Sequence, residues 1–377
     1  MRSAPLQIQL KADSDRGTRV YNFRSTYGVE DAETIRPEEI LILKGADIDN
    51  TSAMISVDSR IGVLGCVLGD KARAGRMLMT ESDARACLVS EFNRKKNVVS
   101  SAETMISSNL DEDCLRKFDV ATYVPKSSDP DHLVRQKIFE LAANMRERST
   151  LYFSAEKLVA EKYRDFLSRF GEISERVKDD YKLLTVKDPE QPRNQGFLDY
   201  RKIEHSVKGA DCKFKLLEGF STGEERSAVE MLTRELEPEE DEKLLDFSSS
   251  FGGVGIFSYE LSHVESTFVT RNTYLRDLIE ENCELNKLND HEVVVEDGCE
   301  GFESSEFDKV AYFVDSSSEE SLVEEDFEEI SRVLKVGGSA FICHDKDFEA
   351  MRLLEKYFES VEVSRREVDQ QVIECSK

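Results

Sequence analysis

Tryptophan is absent from this 377-residue chain, and histidine (5) and proline (7) are scarce. No run of 18 apolar residues occurs, which excludes a helix long enough to span a bilayer. The first residues, MRSAPLQIQLKADSDRG, are polar and lack the apolar core of a secretory signal, so a soluble cytoplasmic protein with no membrane partner is expected. The eight cysteines include no CxxC pair and the histidines do not gather near them, so zinc spacing is missing and no metal is expected. Several cysteines fall in apolar strand-like runs, which suits buried free thiols in a reducing compartment. Positive charge is also in short supply. Lys and Arg number 51 against 77 Asp and Glu, a net charge of −26. Bulk charge therefore excludes general attraction to nucleic acid at low salt, and any such contact must come from local basic patches. The charge suits an ordinary acidic protein or a halophile's surface. In the second case, near ~1 M salt, the Debye length falls to about 3 Å and only local patches count. The oligomeric state is not legible.

What the sequence does have is alternation. Strand-like and helix-like segments follow each other along nearly the whole chain, the pattern of an α/β fold. In the first half RIGVLGCVLG reads as a strand and turn and MLMTE as a strand. SDARACLVSEFNRKKN has apolar residues at helical spacing, FDVATYVP is a strand, and PDHLVRQKIFELAANMRER is an amphipathic helix. STLYFSA, EKYRDFLSRFG and YKLLTVKD add a strand, a helix and a strand. The second half repeats this order with EKLLDF, STFVT, TYLRDLIEENCELNKL, HEVVVED and FDKVAYFVD. Then comes a helix in EEDFEEISRVLK that the glycines at 337 and 338 should stop. SAFICHD, a helix in FEAMRLLEKYF, and the closing pair VEVSRREV and QQVIECSK finish the chain.

Spacing supports a duplication. Glu81 ends a strand and Asn93 and Asn97 follow on the next helix; Thr270 ends a strand and Asn282 and Asn286 follow, at the same intervals. Asparagines four apart face the same way on a helix. The turn-rich segment DPEQPRNQG, 188–196, is the expected joint, giving domains 1–187 and 188–377. Within the second, EKLLDFSSSFGGVGIF has the form of a nucleotide-binding turn: an apolar strand, the acid Asp246, a small-residue loop and a helix start.

Five segments carry a likeness to a known family: FDVATYVPKSSDPDHLVRQKIFEL with its Pro125-Lys126-Ser127 step, LLEGFSTGEERSAVEML with Phe220 and Ser221, LLDFSSSFGGVGIF, EFDKVAYFVDSSSEES, and SRVLKVGGSAFI. Together they resemble the ribosomal RNA guanine-N2 methyltransferases built from two tandem class I methyltransferase domains. The resemblance implies two Rossmann-like domains, each a mostly parallel sheet with a terminal antiparallel hairpin. It implies a degenerate first domain that helps hold RNA. The second domain would bind S-adenosylmethionine and carry catalysis.

The resemblance also implies roles. Asp246, Ser248, Ser250 and Gly252 stand where the family has an acid and alternate glycines around the cofactor. The serines are small, but a position needing φ > 0 costs about 1 kcal/mol or more as Ser. Thr270 stands where an acid accepts from both ribose hydroxyls, and it offers one such bond without the charge. Asp297 stands beside the adenine, or is a solvated loop acid. Asp315 stands near the family's Asn-Pro-Pro-Phe, where it would accept a hydrogen bond from the guanine amine, or is a loop or capping acid. In the first half Gly65 and Gly69 read as remnants of the glycine turn, with Glu81 as the ribose acid. The short stretch between Gly69 and Glu81 leaves too little chain for a crossover helix. The basic residues there, Lys71, Arg73 and Arg76, are candidate RNA-phosphate contacts, and Lys126 joins them by resemblance. Arg94, Lys95 and Lys96 suit phosphate contact or an ordinary solvated helix face. The leading expectation is an RNA methyltransferase. The alternative is a catalytically inactive methyltransferase-like protein that binds RNA or the ribosome.

Overall fold

The computed structural model describes residues 6–14, 17–30, 33–110, 117–190, 196–248, 250–315, 318–345 and 349–377. Cys114 lies outside them. The chain divides into two compact units, one ending at Leu198 and the other running from Asp199 to Lys377. Phe197, just after the expected joint, belongs to the first, with its ring 5.5 Å from Phe139 and 5.3 Å from Phe166.

The first unit opens with a hairpin, β1 (Leu6–Ser14) and β2 (Gly17–Ser25), then α1 (Pro37–Gly45), β3 (Ala53–Val57), α2 (Val63–Lys71), β4 (Arg76–Glu81), α3 (Ala84–Lys96) and β5 (Ala102–Ile106). It continues with β6 (Phe118–Tyr123), α4 (Asp131–Asn144), β7 (Met145–Glu156), α5 (Lys157–Leu167), β8 (Glu172–Lys178) and β9 (Tyr181–Lys187). The second unit repeats the plan: a hairpin of β10 (Tyr200–Val207) and β11 (Ala210–Leu217), then α6 (Gly223–Leu236), β12 (Lys243–Phe247), α7 (Gly253–Ser262), β13 (Glu265–Thr270), α8 (Thr273–Leu285) and β14 (His291–Val295). β15 (Phe307–Phe313), α9 (Glu320–Val333), β16 (Leu334–Asp345), α10 (Ala350–Leu354), β17 (Ser360–Arg366) and β18 (Gln370–Ser376) complete it.

Each unit has one seven-stranded sheet, in the orders β5-β4-β3-β6-β7-β9-β8 and β14-β13-β12-β15-β16-β18-β17. These are the same order. Five strands are parallel, and the last two join antiparallel as a hairpin. The central parallel strands are covered on both faces by helices and read as apolar runs for that reason. Even small bonds repeat: Asp119 accepts from the Ala53 N–H at 2.8 Å, and Asp308 from the Lys243 N–H at 2.9 Å.

The paired asparagines have a structural task. In the first unit the Asn93 carboxamide accepts from the Arg24 N–H (2.7 Å) and donates to the Arg24 carbonyl (2.7 Å). Asn97 does the same with the main chain of Asn22, at 2.9 Å each way. In the second unit Asn282 brackets Lys215, and Asn286 brackets Lys213. A carboxamide carries one acceptor and two donors, so on the face of α3 or α8 it imitates a neighbouring strand. The two residues, one helical turn apart, thereby satisfy the free edge of β2 or β11. Apolar side chains complete the docking: Tyr21 and Phe23 are fully buried in one unit, and Phe214 lies 5.2 Å from Phe251 and 5.3 Å from Phe257 in the other.

Four sequence expectations are corrected. RIGVLGCVLG is not a strand: its residues from Val63 form α2, and the strand before it is β3. Val63 to Asp70 are all buried, so the helix is apolar all round and shows no periodicity to separate it from a strand. The first unit therefore has a full crossover helix, and Lys71 ends that helix. Gly65 packs inside it, where a Cβ would come 1.9 Å from the Met79 sulfur; the turn glycine is Gly62. Lastly, α9 stops at Val333, and Gly337 and Gly338 lie within β16, where Gly337 takes φ +83° and donates its N–H to the Lys377 carbonyl.

Candidate active site

The second unit has a cleft of about 250 Å³ at the carboxyl ends of β12, β13 and β15. Parallel α/β sheets bind ligands at this end, where the connections on either side of a central strand diverge. Ser248, Ser250, Thr270 and Asp315 all line it, together with Phe220, Thr222, Glu225, Arg271, Tyr312 and Phe313. Four of the expected residues are thus brought together.

Asp246 and Gly252 lie beneath the cleft and build it. Asp246, the last but one residue of β12, is 3% exposed and accepts from the Ser248 N–H (2.9 Å), the Ser248 hydroxyl and the Gly255 N–H (2.7 Å). The carboxylate therefore ties the loop to the start of α7. Burial raises its pKa against these bonds. Gly252 caps α7 at φ +74°, ψ 26°. A Cβ there would also lie 3.0 Å from Ile279 and 3.2 Å from Phe268, so space and backbone both require glycine. Gly62 occupies the same cap in the first unit at φ +79°.

Glu225 was not foreseen. It is the third residue of α6 and closes a capping box: its N–H donates to the Thr222 hydroxyl (3.1 Å) and its carboxylate accepts from the Thr222 N–H (3.3 Å). The same carboxylate accepts from the Ser250 N–H and hydroxyl, the latter at 3.0 Å, and Ser221 adds a 2.7 Å hydroxyl contact to Ser250. Burial pushes the Glu225 carboxyl up to about 7 despite these bonds, and the nearby Asp246 adds to the rise. The T-x-x-E spacing in STGEERS was the available signal, as a capping box.

Asp297 does not face the cleft. Its carboxylate takes the Arg271 Nε at 3.1 Å, and Arg271 also reaches Asp326 at 2.5 Å. Asp326 accepts from the Tyr312 hydroxyl at 2.6 Å. The Arg271 guanidinium lies 5.1 Å from the Phe247 ring, which stacks on Tyr312 at 5.0 Å. An acid expected beside a ligand's base is instead part of a buried ion cluster that forms one wall of the site.

In the first unit the corresponding strand ends carry buried charge. Asp58 follows β3, and Lys137 donates to its carboxylate; Lys126 lies 3.9 Å from Asp58 and 3.8 Å from Glu81. Lys137 also pairs with Asp129 at 3.1 Å, and Arg60 with Glu39 at 3.1 Å. Burial pushes the Glu81 carboxyl up to about 8, against the pull of Lys126, while Lys137 and Lys126 hold Asp58 below the usual carboxylate range in spite of its burial. Lys126, expected to face RNA, is turned inward, its side chain 13% exposed. It sits at the opposite end of the sheet from Lys71, Arg73 and Arg76, which mark the end of α2 and the start of β4. Of these, Arg73 is spent on Asp70 (3.0 Å), Lys71 reaches the Leu43 carbonyl (3.4 Å), and Arg76 is exposed over the Phe118 ring. Arg94 and Lys95 pair with Glu91 on their own helix.

Among the described residues no group of three or more His, Cys, Asp or Glu is arranged to hold a metal, and no helix is long and apolar enough to cross a membrane. Cys66, Cys212, Cys283, Cys299, Cys343 and Cys375 are buried free thiols, and burial raises each pKa.

The two units are class I methyltransferase folds in tandem. Residues 212–374 match the family model of the methyltransferase small domain. Among solved structures, the T. thermophilus 16S rRNA N2 G1207 methyltransferase RsmC, in complex with AdoMet and guanosine, is similar over 98% of this chain and 98% of its own, with a TM-score of 0.75 and 15% identity. Two further structures each cover less than half of the chain. M. jannaschii TYW2 in complex with AdoMet is 16% identical over 47% of this chain and 86% of its own, TM-score 0.37. A geranyl diphosphate C-methyltransferase from Streptomyces coelicolor is 13% identical over 40% and 78%, TM-score 0.33. No curated protein sequence matches the chain.

Proposed function

We propose that the second unit binds S-adenosylmethionine and that the chain is an RNA methyltransferase acting on a guanine exocyclic amine of ribosomal RNA. The observation that carries this reading is the open cleft above the Gly252 cap, lined by Ser248, Ser250, Thr270 and Asp315. The residues present suit the cofactor. Gly252 allows close main-chain approach, Phe220 and Leu275 offer apolar surface, and Glu225 is a buried carboxylate facing the cleft. The RsmC fold likeness and the small-domain match support the same assignment. When bound, the cofactor supplies an electrophilic methyl group.

The chain's own residues have two tasks. Asp315 accepts a hydrogen bond from the target amine and so orients the nitrogen lone pair. Phe313 or Phe220, half-buried at the cleft, offers a face on which an extruded base stacks. The first unit, in this reading, does not carry the reaction, and Arg76 is the exposed member of its basic set. Titration calorimetry with S-adenosylmethionine in high salt tests the reading, followed by transfer of labelled methyl groups to ribosomal RNA. Binding with transfer is expected; no heat up to millimolar cofactor would sink it.

A second reading is favoured by one observation: Thr270 brings no carboxylate to the cleft and no proline follows Asp315. In it the chain binds RNA or the ribosome without catalysis. Ribosomal RNA retained on the protein, with no label transferred, decides for it.

A further inference from the structure

The two units place the same glutamate in different company. Glu39 and Glu225 are each the third residue of the helix before the sheet, each accepts from the N–H of its helix's N-cap residue, and each is buried. The loops that face them have equal length, running from Val57 to Gly62 and from Phe247 to Gly252. Two residues before the left-handed glycine, one loop carries Arg60 and the other Ser250. In the first unit Arg60 supplies a cation to Glu39 at 3.1 Å. In the second unit the partners of the Glu225 carboxylate among the described residues are Thr222 and Ser250, neither of them charged. Ser250 is too short to fill the space a guanidinium would take, and Glu225 lines the open cleft.

A buried carboxylate that keeps only neutral donors is costly once ionised, and a cation delivered by a ligand relieves that cost. We infer that Glu225 is the anchor for a ligand's cationic amino-acid end, the α-ammonium group of S-adenosylmethionine or S-adenosylhomocysteine, taking in the second unit the place that Arg60 holds in the first. This rests on the cofactor reading above. The other charged groups around Glu225 fit the assignment: Asp246 lies behind it and adds negative potential, while Arg271 at the cleft is already paired with Asp297 and Asp326.

The test is calorimetric titration of the full chain and of Glu225→Gln with two probes. One is S-adenosylhomocysteine; the other is 5′-methylthioadenosine, which lacks the ammonium and carboxylate. Glutamine can still accept from the Ser250 N–H, and a thermal melt checks that the variant folds. The expected result is a loss of about 20-fold or more for S-adenosylhomocysteine, as for truncating one partner of a buried charge pair, and little change for methylthioadenosine. Wild-type protein gives an independent reading. Glu225 titrates near 7 and a free α-amino group near ~8, so affinity for S-adenosylhomocysteine rises about fivefold from pH 6 to 7.5 while methylthioadenosine stays flat. Equal weakening of both probes, or none, overturns the role of Glu225 and leaves the cofactor reading standing. Wild-type protein that binds neither probe overturns both. Should the variant fail to fold, the wild-type pH profile decides, and a flat profile for S-adenosylhomocysteine refutes the anchor.

Discussion

The two units share a strand order, a hairpin clamp and a left-handed glycine at the first helix, and they differ at the strand ends above that glycine. Asp58, Arg60 and Glu81 in one unit answer to Ser248, Ser250 and Thr270 in the other. The strand registers extend the correspondence. Val57 pairs with Tyr123 as Phe247 pairs with Tyr312, so Lys126 answers to Asp315. The helices that follow have equal length, which sets Lys137 opposite Asp326. One unit fills its strand ends with side chains that satisfy each other. The other keeps small neutral residues there and moves its ion cluster to Arg271, Asp297 and Asp326 at the wall. Against a glycine loop the serines look like losses; against the sister loop they are what leaves the cleft open.

The comparison breaks most sharply at Lys137. Lys137→Met removes a buried ammonium from Asp58 and Asp129, and unfolding in urea should show a loss of about 3–5 kcal/mol, confined to the first unit. Binding of S-adenosylhomocysteine by the second unit stays as it was. Next comes the exchange of loops. Ser250→Arg gives Glu225 the partner that Glu39 has, and calorimetry should record a loss of about 100-fold in affinity, near 2.7 kcal/mol, with the melting temperature held or raised. An unchanged affinity would show that the cleft above Ser250 is not the binding site. Asn282→Ala strips an N–H and a carbonyl of Lys215 of their partners and should cost about 2 kcal/mol, with faster hydrogen exchange at the Lys215 amide. Asn93→Ala should do the same at Arg24, and unequal costs would mark the hairpin that is held more loosely.

The smallest expected effect is in pH. Glu81 is raised to about 8 in the folded chain. A raised carboxyl contributes stability in full below its unfolded value, and that contribution fades as pH climbs through the folded one. The melting temperature should therefore fall from about pH 6 to about 8 and level off above it, and Glu81→Gln should flatten that decline.

Much of this was legible. Strands such as MLMTE and FDVATYVP and the helix at SDARACLVSEFNRKKN show their period, and the asparagine spacing marked the repeat. The helix VLGCVLGDK was not, because burial on all sides erases the pattern that distinguishes a helix from a strand, and β3 before it was lost with it. That Ser248, Ser250, Thr270 and Asp315 share one cleft was implied by the family resemblance. The fates of Asp297 and Lys126 were not, since each is decided by a partner from another element, Arg271 in one case and Asp58 with Glu81 in the other. Glu225 was hidden in a charge-rich helix start, where a buried carboxylate and a solvated one are written with the same letter.

The asparagine clamp carries a last consequence. On the hairpins its carboxamides bond main-chain atoms, those of Asn22, Arg24, Lys213 and Lys215. The attachment thus reads position and is blind to identity. Along the outward faces of β2 and β11 the sequence can drift, or acquire a binding surface, without loosening the hairpin from its helix, while the four asparagines themselves have no such freedom.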